Sequence, residues 1–104
     1  MKIIWSDFAS DELKSIYKYY KEVASVKTAK KIKATIFEAT KQLVKFSKSG
    51  SKEENLHDLK EEHRYLVAGK YKVIYKVEDD IIYITDVFNC EQNPQKMRDN
   101  VANS

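Results

Sequence analysis

Apolar residues recur with two different periods along this chain, and the change of period divides it into a helical first half and a stranded second half. Lys2 to Trp5 is a β-branched and aromatic run that predicts a short strand. Ser6 is placed to cap a helix whose apolar positions, Leu13, Ile16, Tyr17, Tyr20 and Val23, approximate the i, i+3, i+4, i+7 pattern, with Lys14, Lys18 and Lys21 opposite. Ser25 offers a second N-cap. After it, Ala29, Ile32, Ile36, Ala39, Leu43 and Phe46 alternate spacings of three and four residues, the seam of a second amphipathic helix. With only a few residues between them, the two helices fold back as an antiparallel hairpin, seam against seam.

Ser47 to Lys52 is a polar breaker cluster that reads as a linker, and residues 53–62 read as a loop or short helical turn anchored by Leu56 and Leu59. The period then falls to two. Tyr71, Val73, Tyr75 and Val77 alternate with Lys70, Lys72, Ile74 and Lys76, giving one apolar face and one mainly cationic face. Ala68-Gly69 and Asp79-Asp80 sit where two-residue hairpin turns belong, so the run from His63 to Val77 and the run from Ile81 to Phe88 form an antiparallel meander of three strands. Pro94 opens a last helix through Met97 and Val101, and the tail from Asn100 to Ser104 is expected to fray. The order is β-α-α-β-β-β-α: an α+β fold, an antiparallel sheet packed on a helical hairpin, with residues 1–104 as one domain.

Charge sharpens this division. Between Lys14 and Lys52 there are eleven lysines against two acids, Glu22 and Glu38, whereas residues 53–91 carry ten acids and five bases. A basic block points to nucleic acid or an acidic protein partner, or it simply solvates exposed helix faces. The single cysteine, Cys90, excludes an intrachain disulfide and fits a reducing compartment. The apolar run at the N-terminus is too short for a signal peptide, and nothing approaches a membrane span, so the expected location is the cytoplasm.

Most chemistries find no support. His57, His63 and the lone Cys90 lack metal-ligand spacing, and no cofactor motif is present. Cys90 beside Glu91 is a poor nucleophile and reads as a small filler at a strand end. The strand face remains. Arg64, Lys70, Lys72 and Lys76 could meet phosphates, with Tyr65, Tyr71 or Tyr83 stacking on bases, although Tyr71 and Tyr75 at strand period also suit the core. A metal-free RNA-cleaving site needs a cation for the pentavalent phosphate, a base and an acid. Lys72 and Arg64 are candidates for the first, and His63 and Glu62, nearby in sequence, for proton transfer.

The order of these pieces resembles the RelE/ParE superfamily of toxins from bacterial type II toxin–antitoxin (plasmid stabilisation) modules. The resemblance runs over residues 2 to 98. It is carried by Trp5-Ser6, by Ala9, Leu13, Ile16 and Tyr20 in register, and by the approach from Leu59 to Arg64. It continues through Lys70-Tyr71-Lys72-Val73-Ile74-Tyr75, Ile82-Tyr83-Ile84-Thr85-Asp86-Val87-Phe88 and Gln92-Asn93-Pro94. It implies a four-stranded sheet against two helices and a cytoplasmic toxin wrapped by a cognate antitoxin.

The superfamily has two functional branches. In the RelE-like branch a basic and aromatic set on the sheet cleaves messenger RNA at the ribosome; in the ParE-like branch DNA gyrase is the target. Lys72 falls where the ribonucleases carry a strand arginine, and Arg64 matches an arginine of the ParE-like branch. Asn89 stands where a histidine is common and Glu91 where an arginine is common, which removes a proton-transfer group and adds a like charge beside any phosphate. The resemblance therefore implies a ParE-like toxin with Arg64, Lys72, Asn89, Glu91, Gln92 and Asn93 as target-binding residues, residues 89–98 as the working parts and Arg64 bracing the sheet. The alternatives are a ribosome-dependent endoribonuclease using Lys72, Arg64 and His63, and a non-toxic antitoxin-binding or nucleic-acid-binding module.

Overall fold

The computed structural model describes residues 1–59 and 61–101. Strand β1 (Lys2–Trp5) leads into α1 (Asp7–Val23), α2 (Val26–Lys41) and a 3-10 turn at Gln42–Val44. Then come β2 (Ser51–Lys52), a second 3-10 turn at Glu54–Leu56, β3 (Arg64–Ala68), β4 (Tyr71–Glu78), β5 (Ile81–Asn89) and α3 (Pro94–Val101). Both expected caps form: the Ser6 hydroxyl accepts from the Ala9 N–H at 3.0 Å, and the Ser25 hydroxyl from the Thr28 N–H at 3.0 Å. Helix α2 ends earlier than its seam suggested. The chain tightens at Gln42–Val44, which turns Leu43 inward and leaves Val44 and Phe46 exposed.

The sheet has five strands in the order β1-β5-β4-β3-β2, antiparallel throughout except for the parallel pair β1 and β5. The fifth strand, β2, lies in the segment read as a linker. It is held there by Gly50, whose N–H donates to the Tyr75 hydroxyl at 2.9 Å. A Cβ on Gly50 would lie 2.6 Å from both the Tyr65 carbonyl oxygen and that hydroxyl, so only glycine lets the chain approach this closely. The β4–β5 turn falls at Asp79 and Asp80, with φ of 51° and 61°, the left-handed pair a type I′ turn requires. The β3–β4 turn is Gly69-Lys70, one residue later than expected, because Ala68 still pairs with Tyr71.

Both faces of the sheet are covered, unequally. On one face Ala9 and Leu13 of α1, with Ile36 and Leu43, pack against Tyr71, Val73, Tyr75, Ile82, Ile84 and Val87. Ile84 and Val87 share this face despite their odd spacing because the ladder shifts register beyond Ile74/Tyr75, passing over Thr85 as an unpaired bulge residue. On the other face Leu56, Ile74, Phe88 and Met97 form a smaller cluster, joined by Leu59, Tyr65 and Val101. Ile74 therefore interrupts what its neighbours suggested was a cationic face. Fraying of the tail was expected from Asn100; Asn100 and Met97 are buried, and residues 102–104 lie outside the described residues. Among the described residues no helix is long and apolar enough to cross a membrane.

Candidate functional site

The expected site residues fall into three separate places. Lys72 lies on β4 opposite Val67 and Phe88, on the face away from the hairpin. Its ammonium sits 2.8 Å from Glu53 Oε1 and 4.3 Å from the Tyr65 ring centroid. The Glu53 side chain is only 2% exposed, so this carboxylate is committed to Lys72. Four residues along β4, Lys76 pairs with Glu61 and lies beside its cross-strand neighbour Tyr83.

Arg64 lies on the opposite face. Cross-strand partners share a face, and Arg64 is opposite Tyr75, which belongs to the hairpin core. Its guanidinium binds Glu62 at 2.7 Å and donates to the Gly50 carbonyl at 2.7 Å and the Lys48 carbonyl at 3.3 Å. Arg64 thus ties the end of the helical half to the start of β3. The sheet separates it from Lys72, and the two do not converge on one ligand.

His63 is buried, with Nδ1 3.0 Å from the Glu61 carbonyl oxygen. Burial holds its pKa below the ordinary histidine range; the Glu61 carbonyl and carboxylate oppose that shift and Lys76 adds to it. The ring lines a cavity of about 380 Å³ with Glu61, Lys76, Tyr83 and Thr85, and the His63 carbonyl accepts from the N–H of Glu53, the partner of Lys72, at 2.8 Å.

The third place is the end of β5. The Asn89 side chain accepts from the Glu91 N–H at 2.9 Å, and Asn93 accepts from the Gln95 N–H at 2.9 Å. Asn93 thereby caps α3, with Pro94 at its first position. Asn89, Glu91 and Gln92 border a cavity of about 330 Å³ against α1, where Tyr20, Lys70 and Tyr71 meet. The Tyr71 hydroxyl donates to that of Tyr20 at 3.4 Å. This bond lowers the Tyr20 pKa, aided by Lys70, while burial raises that of Tyr71. Cys90, expected as filler, is exposed: β5 ends at Asn89, and the Cys90 N–H closes onto the Lys70 carbonyl at 2.9 Å.

Sequence reasoning missed the carboxylates Glu53 and Glu61 as partners of the strand lysines. The acid excess after residue 52 was visible; which lysine each acid meets depends on how the segment folds back over the sheet. It also missed Asp86, buried on the α3 side of β5 and accepting from the Asn100 amide at 3.0 Å. Burial pushes its pKa up to about 6; Asn100 opposes that shift, the charge of Glu12 adds to it, and the Val87 backbone and Lys96 oppose it. No cluster of histidine, cysteine and carboxylate among the described residues could hold a metal.

No curated protein matches this sequence. The solved structure described as the chromosomal ParDE TA system from P. aeruginosa aligns with a TM-score of 0.74 at 22% identity, covering 88% of this chain and 97% of that one. At that identity the likeness establishes the fold. The family described as "ParE toxin of type II toxin-antitoxin system, parDE" matches residues 3–94, all but the ends of the chain. The chain belongs to the ParE toxin family of type II toxin–antitoxin systems.

Proposed function

We propose that this chain is a growth-arresting toxin that acts on DNA gyrase in the cytoplasm and is neutralised by a cognate antitoxin. The observation that favours gyrase over messenger RNA is the dispersal of the ribonuclease set. Lys72 is paired with Glu53, Arg64 is on the other face of the sheet and bound to Glu62, and His63 is buried with Nδ1 against the Glu61 carbonyl oxygen. A phosphoryl-transfer site needs cation, base and acid converging within hydrogen-bond reach of one phosphate. The two candidate cations, Lys72 and Arg64, do not converge. Asn89, Glu91 and Gln92 stand together at the end of β5, where they can meet a protein surface instead.

The antitoxin reading draws on the hairpin. Val23, Val26, Phe37 and Phe46 are exposed there among lysines, and Lys33 lies 5.6 Å from the Tyr17 ring centroid and 5.9 Å from that of Phe37. Such a surface suits an acidic amphipathic segment. A supercoiling assay with purified toxin tests the target. Inhibition with trapped cleavage complexes, relieved by the antitoxin, is expected. Unaffected supercoiling together with messenger RNA cut soon after induction would replace this reading with the ribonuclease one.

A further inference from the structure

Residues 53–59 with Glu61 cross the face of the sheet that the hairpin leaves uncovered. Three acids of this segment each hold a cation of that side. Glu53 pairs with Lys72 at 2.8 Å, Glu61 pairs with Lys76, and Asp58 binds Arg98 of α3 through two contacts at 2.6 and 3.0 Å. Leu56 and Leu59 pin the segment to Ile74, Phe88 and Met97 between these pairs. The cations beneath are accompanied by aromatic rings: Lys72 lies over Tyr65 and Lys76 beside Tyr83. Lysines with interleaved tyrosines are the arrangement by which single-stranded nucleic acid is held, phosphates on the cations and bases on the rings. Lys72 and Lys76 are four residues apart on one strand, about 13 Å at the usual rise, the reach of about two nucleotides.

We propose that residues 53–59 with Glu61 form an autoinhibitory strap whose carboxylates occupy, as internal counter-ions, a track on the outer sheet face that binds single-stranded nucleic acid. The backbone phosphates of the ligand and the carboxylates of the strap compete for the same three cations, Lys72, Lys76 and Arg98. Affinity is therefore set by how firmly the strap's acids hold them. Glu61 and Asp58 are the weak links, about half exposed, whereas Glu53 is buried. Glu62 takes no part, since it pairs with Arg64 at the other face. The track is independent of the gyrase assignment.

The test is binding of fluorescently labelled 20-nucleotide RNA and DNA single strands, read by anisotropy, to the full chain and to D58N/E61Q. The control is D79N/D80N, which removes the same charge at the β4–β5 turn, where asparagine tolerates the positive φ. The lysine-rich hairpin gives all three proteins a common background. D58N/E61Q should bind at least about tenfold more tightly at low salt, with the logarithmic salt dependence steeper by about 1 to 1.5 for two added phosphate contacts. The control should change by less than threefold, and adding Lys76→Gln to the double variant should remove most of the gain. RNA and DNA responding alike assigns the track to the shared backbone, and a gain for one strand type alone assigns it to that strand. Equal gains by the variant and the control, or a folded variant with no gain, would overturn the proposal. If D58N/E61Q does not fold by circular dichroism, Glu61→Gln alone is read against Asp80→Asn by the same criteria.

Discussion

The two faces of the sheet solve the same burial problem with different chemistry. The hairpin face, Arg64 at its edge apart, is sealed by side chains without charge: Ile36, Leu43, Val73, Tyr75, Ile82 and Ile84 are all fully buried there. The outer face has a four-residue apolar cluster, and the rest is closed by ion pairs from a single crossing segment. Apolar burial is non-directional and scales with area, so the hairpin face carries stability. Ion pairs at partial exposure contribute little, so the outer face is free to serve binding.

Truncation on each face is the largest test of this difference. Ile84→Ala should destabilise by about 4 kcal/mol, because the hairpin and β1 leave its surroundings little room to collapse. Ile74→Ala should cost less, about 2–3 kcal/mol, since the loop over it can settle into the space. Urea denaturation of both variants gives the comparison. Equal losses would mean that the outer cluster is as rigid as the hairpin core.

Asp86 gives the outer face a pH dependence. Its carboxyl titrates near 6 in the fold against an ordinary value of 3.8, so the native state holds the proton more tightly than the unfolded chain. Its contribution is fully present below about pH 4, declines as pH rises through 6, and is then absent. A shift of about two units corresponds to about 3 kcal/mol, so Asp86→Asn should gain on the order of 2–3 kcal/mol relative to wild type between pH 4 and pH 8. His63 runs the other way: its depressed pKa makes stability fall as pH drops below about 6.5. The informative quantity is therefore the difference between Asp86→Asn and wild type at each pH, from thermal melts. A difference that does not change with pH would show that Asp86 stays ionised in the fold.

The fold was legible where period and cap agree. Ser6 and Ser25 mark the helix starts, Tyr71, Val73 and Tyr75 mark the core face of β4, and Asp79-Asp80 marks a turn. What escaped depends on contacts distant in sequence. The breaker cluster around Gly50 looks like a linker until Tyr75, 25 residues later, supplies a hydroxyl for its N–H. Arg64 and Lys72 looked like one site because both are basic and near in sequence. Their opposite facing follows from strand pairing across the hairpin, which sets Arg64 against Tyr75 on the core face while Lys72 points to the other. Asn93 had the chemistry of a contact residue and also of a helix cap, and the cap is what forms. The Gly50 contact is itself testable. Tyr75→Phe removes the hydroxyl and leaves a buried N–H without its acceptor, which should cost about 1–3 kcal/mol in urea denaturation. A loss below about 0.5 kcal/mol would show that the β2 edge is held by its pairing with β3 and by Arg64 without this bond.

The smallest expected effect separates the two strap acids. Glu53 is buried and holds a lysine that is itself only 22% exposed, so Glu53→Gln weakens a charged contact away from bulk water and should cost about 1–3 kcal/mol. Glu61 holds Lys76 with its own side chain about half exposed. Solvent screens that pair, and Lys76 can turn to water or to Glu78 when Glu61 is neutralised. Glu61→Gln should therefore change stability by less than about 0.5 kcal/mol. The difference in denaturation midpoint between the two variants measures how far the strap is anchored at one end and loose at the other. A loss at Glu61 as large as that at Glu53 would make the strap a uniform clamp, and its release by a competing anion would then have to begin elsewhere.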